Sequence, residues 1–418
     1  MELNAKLHFI FDLGGVFLVK KHFYELYHFF YVFLHCNCCK GRGGVCIIKI
    51  IWTMSFRKTV SWVLFPITMW YAIGVWLRNL LFDLGVKRQE APAVTTIGVG
   101  NLCTGGAGKT PHVEYLLKLL SKQYSTALLS RGYRRRSSGF VLDDGSHSPS
   151  RLGDEPAMVA AKFPEVKVGV CEKRVAGVQK LMALENPPQV VLLDDVFQHR
   201  YIKPTINILL TEYGNPYFKD RILPYGNLRE GRRGRYRANI VVVTKSPQTL
   251  NPIEKHNIVD SLGLKPFQKV FFSYTHYLDP LPLMGDTPLP LQTLDAVLLV
   301  TGIADPEPMM QHVSTFCKVT HMRFADHHRF SSYDIKRIRR AFVQIDAARK
   351  LILTTEKDAA RMRVLDGKSA LEGLPVYYLP IEVKIHQNND MSFDQTVQTI
   401  VHDNVLFQER MNSVKFDY

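Results

Sequence analysis

The chain has 418 residues, enough for two or three domains with a sizeable core, and 46% of them are hydrophobic against 22% charged. This composition excludes a wholly disordered or collagen-like chain, and apolar runs of membrane-span length are too few for a polytopic membrane protein. Lysine and arginine number 53 and aspartate and glutamate 38, which gives a formal net charge of +15. Such an excess favours anionic partners: nucleic acid, phosphorylated small molecules or an acidic membrane surface.

Residues 1–53 have a composition unlike the rest of the chain. They are rich in Phe, Tyr and His, follow no clear period and contain four of the seven cysteines. Charges such as Asp12 and Glu25 interrupt the apolar patches, so a secretory signal is a poor match. We predict that this segment lies upstream of the natural start at Met54 or is disordered; a membrane-associated extension is the alternative. The clustered cysteines lack zinc-site spacing, and the three scattered ones elsewhere indicate a reduced, cytosol-facing protein.

Residues 54–90 are predicted to form an N-terminal membrane-associated helix. Arg57 and Lys58 precede Thr59–Leu77, a stretch that has no charged residue and carries five aromatic ones, and Arg78 follows it. A helix of this length, rising ~1.5 Å per residue, nearly crosses a hydrocarbon layer of ~30 Å. Aromatic residues with flanking cations equally suit a helix that lies in the head-group zone. Both placements stay open, and a buried helix of a soluble core is a third.

Beyond Ala91, short apolar runs alternate with helical patterns, which is typical of an α/β fold with a doubly wound sheet. The predicted elements of this domain, residues 91–280, are strands at Val94–Val99, Ser125–Leu129, Val166–Val170, Val190–Leu193, Ile206–Leu210 and Ile240–Val243 and helices at Val113–Leu120 and Arg174–Leu184. The Pro-rich stretch Asp279–Leu291 marks a boundary. A second, smaller α/β domain, residues 281–418, has predicted strands at Ala296–Thr301, Lys318–Arg323, Leu351–Thr354 and Val376–Leu379.

A glycine-rich segment joins the first predicted strand to the first helix. It reads GNLCTGGAGKT over residues 100–110, and Pro111 follows at a position where helices favour proline. Backbone amides of such a turn surround phosphate oxygens, Lys109 reaches the outer phosphates and the Thr110 hydroxyl holds Mg²⁺. A strict Walker pattern has Gly in place of Cys103, whereas a plain tight turn would not need Lys109. We predict a triphosphate site formed by Gly105, Gly106, Ala107, Gly108, Lys109 and Thr110, and therefore a P-loop NTPase-like kinase domain over residues 91–280.

Acidic residues at the predicted strand ends are candidates for metal binding and catalysis. Asp194 and Asp195 end a strand, where a carboxylate coordinates Mg²⁺ directly or through water, and Gln198 follows; a solvated turn is the alternative. Asp154 begins a helix in the segment GDEP and is either a cap or a catalytic base in the ligand crevice.

Three further clusters carry charge. The arginines within residues 232–237 either form a solvated loop or bind phosphate. Asp326 and His327 are either a general-base unit or an ordinary core or surface pair. The segment Glu356-Lys357-Asp358, which follows a strand, has no explanation from its pattern.

The segments GN-x-x-x-GG-x-GKTP, SRGY, GDEP, DD-x-x-QH, LP-x-G-x-LRE, DHH and TEKD occur in this order. The combination resembles the tetraacyldisaccharide 4′-kinase family, whose members phosphorylate the lipid A precursor disaccharide at the inner membrane. The resemblance extends from about Met54 to Arg361. It implies ATP and Mg²⁺ as cofactors, an acylated glucosamine disaccharide 1-phosphate as acceptor, and a location on an anionic membrane at the cytoplasmic face. We also expect a monomer, and no nucleic-acid partner because no signature for one is present.

The resemblance also implies roles for individual residues. Asp154 is the base that deprotonates the sugar 4′-hydroxyl, partnered by His327 from the second domain, and Lys109 binds phosphate. The Mg²⁺ and nucleotide surroundings comprise Thr110, Glu155, Asp194, Asp195 and Gln198. The neighbourhood of the phosphates or the acceptor comprises Tyr133, Asn227, Arg229 and Glu230. The family usually has Gly where this chain has Val196, and valine rarely adopts a positive φ, so the turn after Asp195 is expected to differ in shape.

Two other functions fit parts of the sequence. The first is a membrane-attached P-loop ATPase or switch that transfers no phosphate to a sugar; a GTPase version expects an N/T-K-x-D guanine reader, and Val243–Pro247 lacks its Asp. The second is a soluble small-molecule kinase, which leaves the helix at Thr59–Leu77 without a purpose. If ATP turnover requires the disaccharide, the lipid kinase is favoured over the ATPase or switch. If deletion of the helix leaves activity and solubility intact, the soluble small-molecule kinase is favoured.

Overall fold

The computed structural model describes residues 65–285, 287–363, 371–387 and 391–414, so the predictions made for residues 1–64 lie outside the described part of the chain. The described residues form two compact units. One contains those up to Leu81 together with Asp220–Gly231, and the other contains Phe82–Lys219 and the residues from Arg232 onward.

The second unit contains two sheets. The first sheet has the order β14-β8-β7-β6-β1-β5-β2-β4-β3 and the second sheet the order β11-β10-β12-β13-β9, with strands numbered along the chain. Their bounds are β1 Thr95–Asn101, β2 Thr126–Ser130, β3 Val141–Leu142, β4 Lys167–Val170, β5 Val190–Asp194, β6 Ile206–Glu212, β7 Ile240–Thr244, β8 Lys269–Tyr277, β9 Leu281–Pro282, β10 Ala296–Thr301, β11 Lys318–Arg323, β12 Lys350–Thr355, β13 Val376–Leu379 and β14 Ile381–Ile385.

The described residues also form helices. They are α1 (residues 65–83), α2 Lys109–Leu120, α3 Pro149–Leu152, α4 Asp154–Lys162, α5 Arg174–Met182, α6 Pro252–Leu262, α7 Glu307–Ser314, α8 Ser332–Val343, α9 Glu356–Arg363 and α10 Phe393–Val414. Short 3₁₀ helices lie at Tyr217–Lys219, Arg232–Arg237 and Leu291–Thr293.

All ten predicted strands are confirmed. Within the first sheet, β1 pairs in parallel with β5 and β6, and its seven residues are all buried. A parallel strand covered on both faces is expected to be apolar along its whole length, and that is the pattern from which these strands were predicted. Because β1 is central, the loop after it opens at the carboxyl edge of the sheet, where ligands bind in open α/β folds.

The division between the two predicted domains differs from the structure at the C-terminus. The sequence-based boundary assigned residues 281–418 to the second domain, yet β14 pairs antiparallel with β8 of the first sheet. Helix α10 packs on the same sheet, because Phe393, Val397, Val401 and Val405 recur every four residues and lie in its core. The chain therefore returns to the first sheet after completing the second.

In the other unit, helix α1 is attached to the loop of residues 220–231. The Tyr71 hydroxyl donates to the Arg229 carbonyl at 2.8 Å, and the Asn79 amide donates to Glu230 Oε2 at 2.9 Å. Burial raises the pKa of Tyr71 to about 12. Within the described residues, no helix combines the length and the apolar character that a membrane span needs.

Candidate active site

The phosphate loop between β1 and α2 has a backbone that glycine permits. Gly105 and Gly108 have φ values of 113° and 78°, in a region that side chains of L-residues disfavour. Helix α2 starts at Lys109 directly after Gly108, and no side chain caps its first amides. Because those amides lack an intrahelical acceptor and carry the positive end of the helix dipole, the loop provides donors for an anion.

Lys109 lies beside the end of β1 with its ammonium group directed at polar atoms. Its Nζ contacts Asn101 Oδ1 at 3.3 Å and Asp195 Oδ1 at 3.6 Å. The Gln198 amide donates to the Asn101 carbonyl at 2.8 Å. Lys109 and Gln198 thus both contact Asn101, and Asp195 contacts Lys109, so these three residues, which the sequence assigned to the nucleotide and its metal, belong to one set of contacts.

Asp194 ends β5 and is almost completely buried. Its Oδ2 accepts from the Ser130 hydroxyl at 3.1 Å, whereas its Oδ1 has no hydrogen-bond partner among the described residues. Burial, with the neighbouring Glu155 and Asp195 carboxylates, raises the pKa of Asp194 to about 6. A buried carboxylate oxygen without a partner is costly unless a cation or a further donor binds it.

In the turn after β5, Val196 does not take a positive φ. The residue with a positive φ is Asp195, at 46°, and aspartate tolerates that conformation better than valine. The Val196 side chain is buried in the core, and a Cβ on Gly98 would come within 2.7 Å of its Cγ1. Valine therefore fits this position because the left-handed residue lies one place earlier.

The residues around Asp194 fit Mg²⁺. Thr110, Glu155 and Asp194 line one small cavity together with apolar side chains. Over the described ranges, no group of three or more His, Cys, Asp or Glu residues has the arrangement of a metal site. Mg²⁺ in nucleotide sites takes only one or two carboxylates and completes its octahedron with phosphate and water, so a hydroxyl and a few carboxylates are sufficient.

Asp154 begins helix α4, and His327 follows strand β11 of the second sheet. Both side chains contact the guanidinium of Arg361. Arg361 Nε donates to Asp154 Oδ2 at 3.4 Å, and Arg361 Nη2 donates to His327 Nδ1 at 3.0 Å. Burial lowers the pKa of His327, and the positive charges of Arg361 and Arg134 lower it further against the opposing effect of Asp326. Asp154 and His327 thus share Arg361 as a contact, a residue for which the sequence indicated no role.

Glu155 lies within reach of charges from both sheets. Its carboxylate forms an ion pair with Lys357 of α9. Burial by itself would raise the pKa of Glu155, but the charges of Lys357, Lys109 and His327 outweigh it, so the pKa is lower than usual. Glu155 therefore stays ionised and links the phosphate loop electrostatically to the second sheet.

The remaining predicted residues are Tyr133, in the unit that contains the two sheets, and Asn227, Arg229 and Glu230, in the other unit. Tyr133 is exposed, and the Arg134 guanidinium lies over its ring at 5.4 Å. In the other unit, the backbone N–H of Asn227 donates to Asp220 Oδ1 at 3.0 Å. Arg229 and Glu230 make the contacts with α1 described above, and Glu230 is 2% exposed.

The arginine-rich segment is partly structural. Arg235 Nε donates to the Gly263 carbonyl at 2.8 Å, and Arg237 Nη2 donates to the Phe197 carbonyl at 3.2 Å. Both guanidiniums also lie over aromatic rings, those of Tyr236 and Phe197. These two side chains bind backbone carbonyls and aromatic rings, and phosphate binding by the segment stays a prediction.

Sequence reasoning missed one residue behind the phosphate loop. His112 is buried in α2, with Nδ1 2.7 Å from the Gly108 carbonyl and Nε2 2.9 Å from the Ser273 hydroxyl. Burial lowers its pKa to about 4. A polar residue on the buried face of a helix was the available signal, but its partner on β8 is 161 positions away.

The chain is similar to known proteins both in sequence and in fold. A family model described as "Tetraacyldisaccharide-1-P 4'-kinase" matches residues 60–401. The chain is 41% identical over 375 residues to a tetraacyldisaccharide 4′-kinase of Bacteroides thetaiotaomicron, covering 86% of this chain and 98% of that protein. It is 40% identical to the protein of that name from Flavobacterium johnsoniae, covering 82% and 98%. The crystal structure of LpxK from Aquifex aeolicus in complex with ATP is similar at a TM-score of 0.63 and 28% identity, covering 84% of this chain and 99% of that one.

Proposed function

The chain belongs to the tetraacyldisaccharide-1-P 4′-kinase family, and from this membership we propose that it transfers the γ-phosphate of ATP to the 4′-hydroxyl of tetraacyldisaccharide 1-phosphate. The observation that carries the proposal is the family match over residues 60–401 in a chain whose phosphate loop, buried Asp194 and Asp154–His327 pair lie on one body. The product is the 4′-phosphorylated precursor of lipid A.

The phosphate loop is the proposed site of the triphosphate. The amides of Gly105, Gly106, Ala107 and Gly108 surround its oxygens, and Lys109 neutralises the charge that develops during transfer. Gln198 completes the nucleotide surroundings. Thr110 and Asp194 would hold Mg²⁺, with Glu155 and Asp195 in its surroundings, and the ion supplies charge neutralisation on the phosphate oxygens when it is bound.

Asp154 is proposed as the general base and His327 as its partner. The proton of the 4′-hydroxyl passes to the Asp154 carboxylate as the sugar oxygen bonds to the γ-phosphorus. The bond between that phosphorus and the bridging oxygen breaks at the same time, and ADP leaves. Phosphoryl transfer needs in-line placement and charge neutralisation more than covalent help, so the orientation of Asp154 is its main requirement.

The proposed acceptor is a lipid, and two features of the chain suit it. Tyr133, Asn227, Arg229 and Glu230 are assigned to the neighbourhood of the sugar or its phosphate. On α1, large apolar side chains are exposed: Phe65, Ile67, Met69, Trp70, Ile73, Trp76 and Leu77. An exposed apolar helix surface of this kind binds the interface of a bilayer, so we place the enzyme at the cytoplasmic face of the inner membrane.

The direct test follows labelled phosphate from ATP. The protein is incubated with Mg²⁺, γ-labelled ATP and the disaccharide 1-phosphate in detergent, and label is expected in the lipid fraction at the 4′ position. Release of free labelled phosphate at the same rate with and without the disaccharide would support the ATPase or switch instead. A reaction without acceptor and one with the Lys109→Ala variant serve as controls.

A further inference from the structure

Helix α9, which follows strand β12 of the second sheet, forms three ion pairs with helix α4, which precedes strand β4 of the first sheet. Lys162 binds Glu356 at 3.1 Å, Lys357 binds Glu155, and Arg361 binds Asp154 at 3.4 Å. The side chains of Lys162 and Lys357 are more than a third exposed, so water screens their pairs. The Arg361 side chain is only 8% exposed, which makes it the member of this set with a fixed geometry.

Arg361 is held in place by a buried carboxylate. Its Nη1 donates to Asp358 Oδ1 at 2.8 Å, and Asp358 is completely buried. Asp358 in turn accepts from the Gly302 amide and the Thr355 hydroxyl, both at 2.8 Å. Asp358 therefore fixes the conformation of the Arg361 guanidinium, and Asp358 is itself held by Gly302 and Thr355 at the strand ends of the second sheet.

The same guanidinium determines how His327 is protonated. Arginine has only donors, so the His327 Nδ1 atom that receives Nη2 must be an acceptor. The neutral ring then carries its hydrogen on Nε2. Since the guanidinium is planar and rigid, its contacts to Asp154 and His327 fix these two side chains relative to each other.

We propose that Arg361 is a positioning residue for phosphoryl transfer, which holds the carboxylate of Asp154 and the ring of His327 in one arrangement across the two sheets. The inference rests on the proposed function, because it presumes that this pair acts on the acceptor hydroxyl. It also gives a role to the Glu356-Lys357-Asp358 segment, which fixes the start of α9 and, through Asp358, the guanidinium. Misplacement of catalytic groups by about 1 Å costs roughly 10²-fold in rate, and a loss of kcat of that order is expected without Arg361.

The test compares Arg361→Met with the full-length enzyme in the lipid kinase assay. The kcat should fall roughly 10²-fold while the KM for ATP stays within about twofold, because the guanidinium contacts no part of the phosphate loop. Arg361→Lys should recover part of the rate. Arg363→Met is the matched control, since it removes a charge from the same helix at a residue that contacts Leu283 and Tyr378 instead. A kcat for Arg361→Met within twofold of the wild type would overturn the proposal.

A double-mutant cycle separates positioning from a general structural role. If Arg361 acts through Asp154, adding Arg361→Met to Asp154→Asn should lower kcat by less than threefold further. If the loss of kcat in the double variant equalled the product of the two single losses, the proposal would be overturned. An equal loss of kcat in Arg361→Met and Arg363→Met would also overturn it. Should Arg361→Met unfold, the cycle is run with Arg361→Lys, which keeps a cation beside Asp358. Absence of lipid phosphorylation by the wild type would instead contradict the proposed function and is seen before any variant is made.

Discussion

Acid should destabilise this protein through His112, the buried residue behind the phosphate loop. Its ring lies between the Gly108 carbonyl and the Ser273 hydroxyl, and burial lowers its pKa from 6.5 to about 4. The folded state therefore keeps His112 neutral at pH values where the unfolded chain already binds a proton. Stability from this residue is fully present above pH 6.5 and is lost as the pH falls toward 4.

The magnitude follows from these two pKa values. At pH 5 the unfolded His112 is almost fully protonated and the folded one is largely neutral, which favours unfolding by about 2 kcal/mol relative to pH 8. Below pH 4 the loss reaches about 3 kcal/mol. Replacing His112 by Gln keeps a polar, uncharged side chain at every pH and should remove this contribution.

The assay is urea unfolding of the wild type and His112→Gln at pH 8, 7, 6 and 5, followed by circular dichroism. The variant starts less stable at pH 8, because its contacts to Gly108 and Ser273 are weaker, and the difference should shrink by about 2 kcal/mol by pH 5. The control is the substitution of a surface histidine, His256→Gln, whose side chain is 76% exposed. A stability difference for His112→Gln that is constant over this pH range would refute the reasoning.

Three further outcomes are expected. Lys109→Ala should abolish transfer and leave the fold intact, whereas Lys118→Ala, in an exposed part of the same helix, should be near normal; wild-type activity of Lys109→Ala would remove the phosphate-loop assignment. Asp154→Asn should lower kcat by roughly 10²–10⁴-fold with little change in the KM for ATP, and a change in ATP binding alone would reassign the residue to the metal. Binding to anionic liposomes should weaken with added salt and with Trp70→Ser/Trp76→Ser; binding that neither change affects would contradict a role of the α1 surface.

The parts of the fold that could be predicted from the sequence are those in which a single continuous run of residues shows the pattern of the element. Strand β7, Ile240–Thr244, is apolar on both faces because helices or loops cover both, and its run of aliphatic residues is unambiguous. Strand β8, Lys269–Tyr277, was missed because it mixes aromatic, polar and basic residues near the sheet edge. Helix α10 was missed because its core positions recur only every fourth residue between polar ones.

The candidate site divides in the same way. The phosphate loop was predictable because its glycines, Lys109 and Thr110 are contiguous and their order reflects one backbone geometry. The contact of Arg361 with Asp154 was not predictable, because it joins two residues that are 207 positions apart and lie on different helices, α9 and α4. The conformation at Val196 could not be predicted from the family pattern either, because it depends on the neighbouring Asp195, which takes the left-handed conformation.

The most direct test of the central claim is a crystal structure with Mg²⁺ and a non-hydrolysable ATP analogue. We expect the triphosphate in the loop of residues 103–110, with Lys109 Nζ about 3 Å from an oxygen of the β- or γ-phosphate. An empty loop with the triphosphate bound elsewhere on the protein would contradict the account.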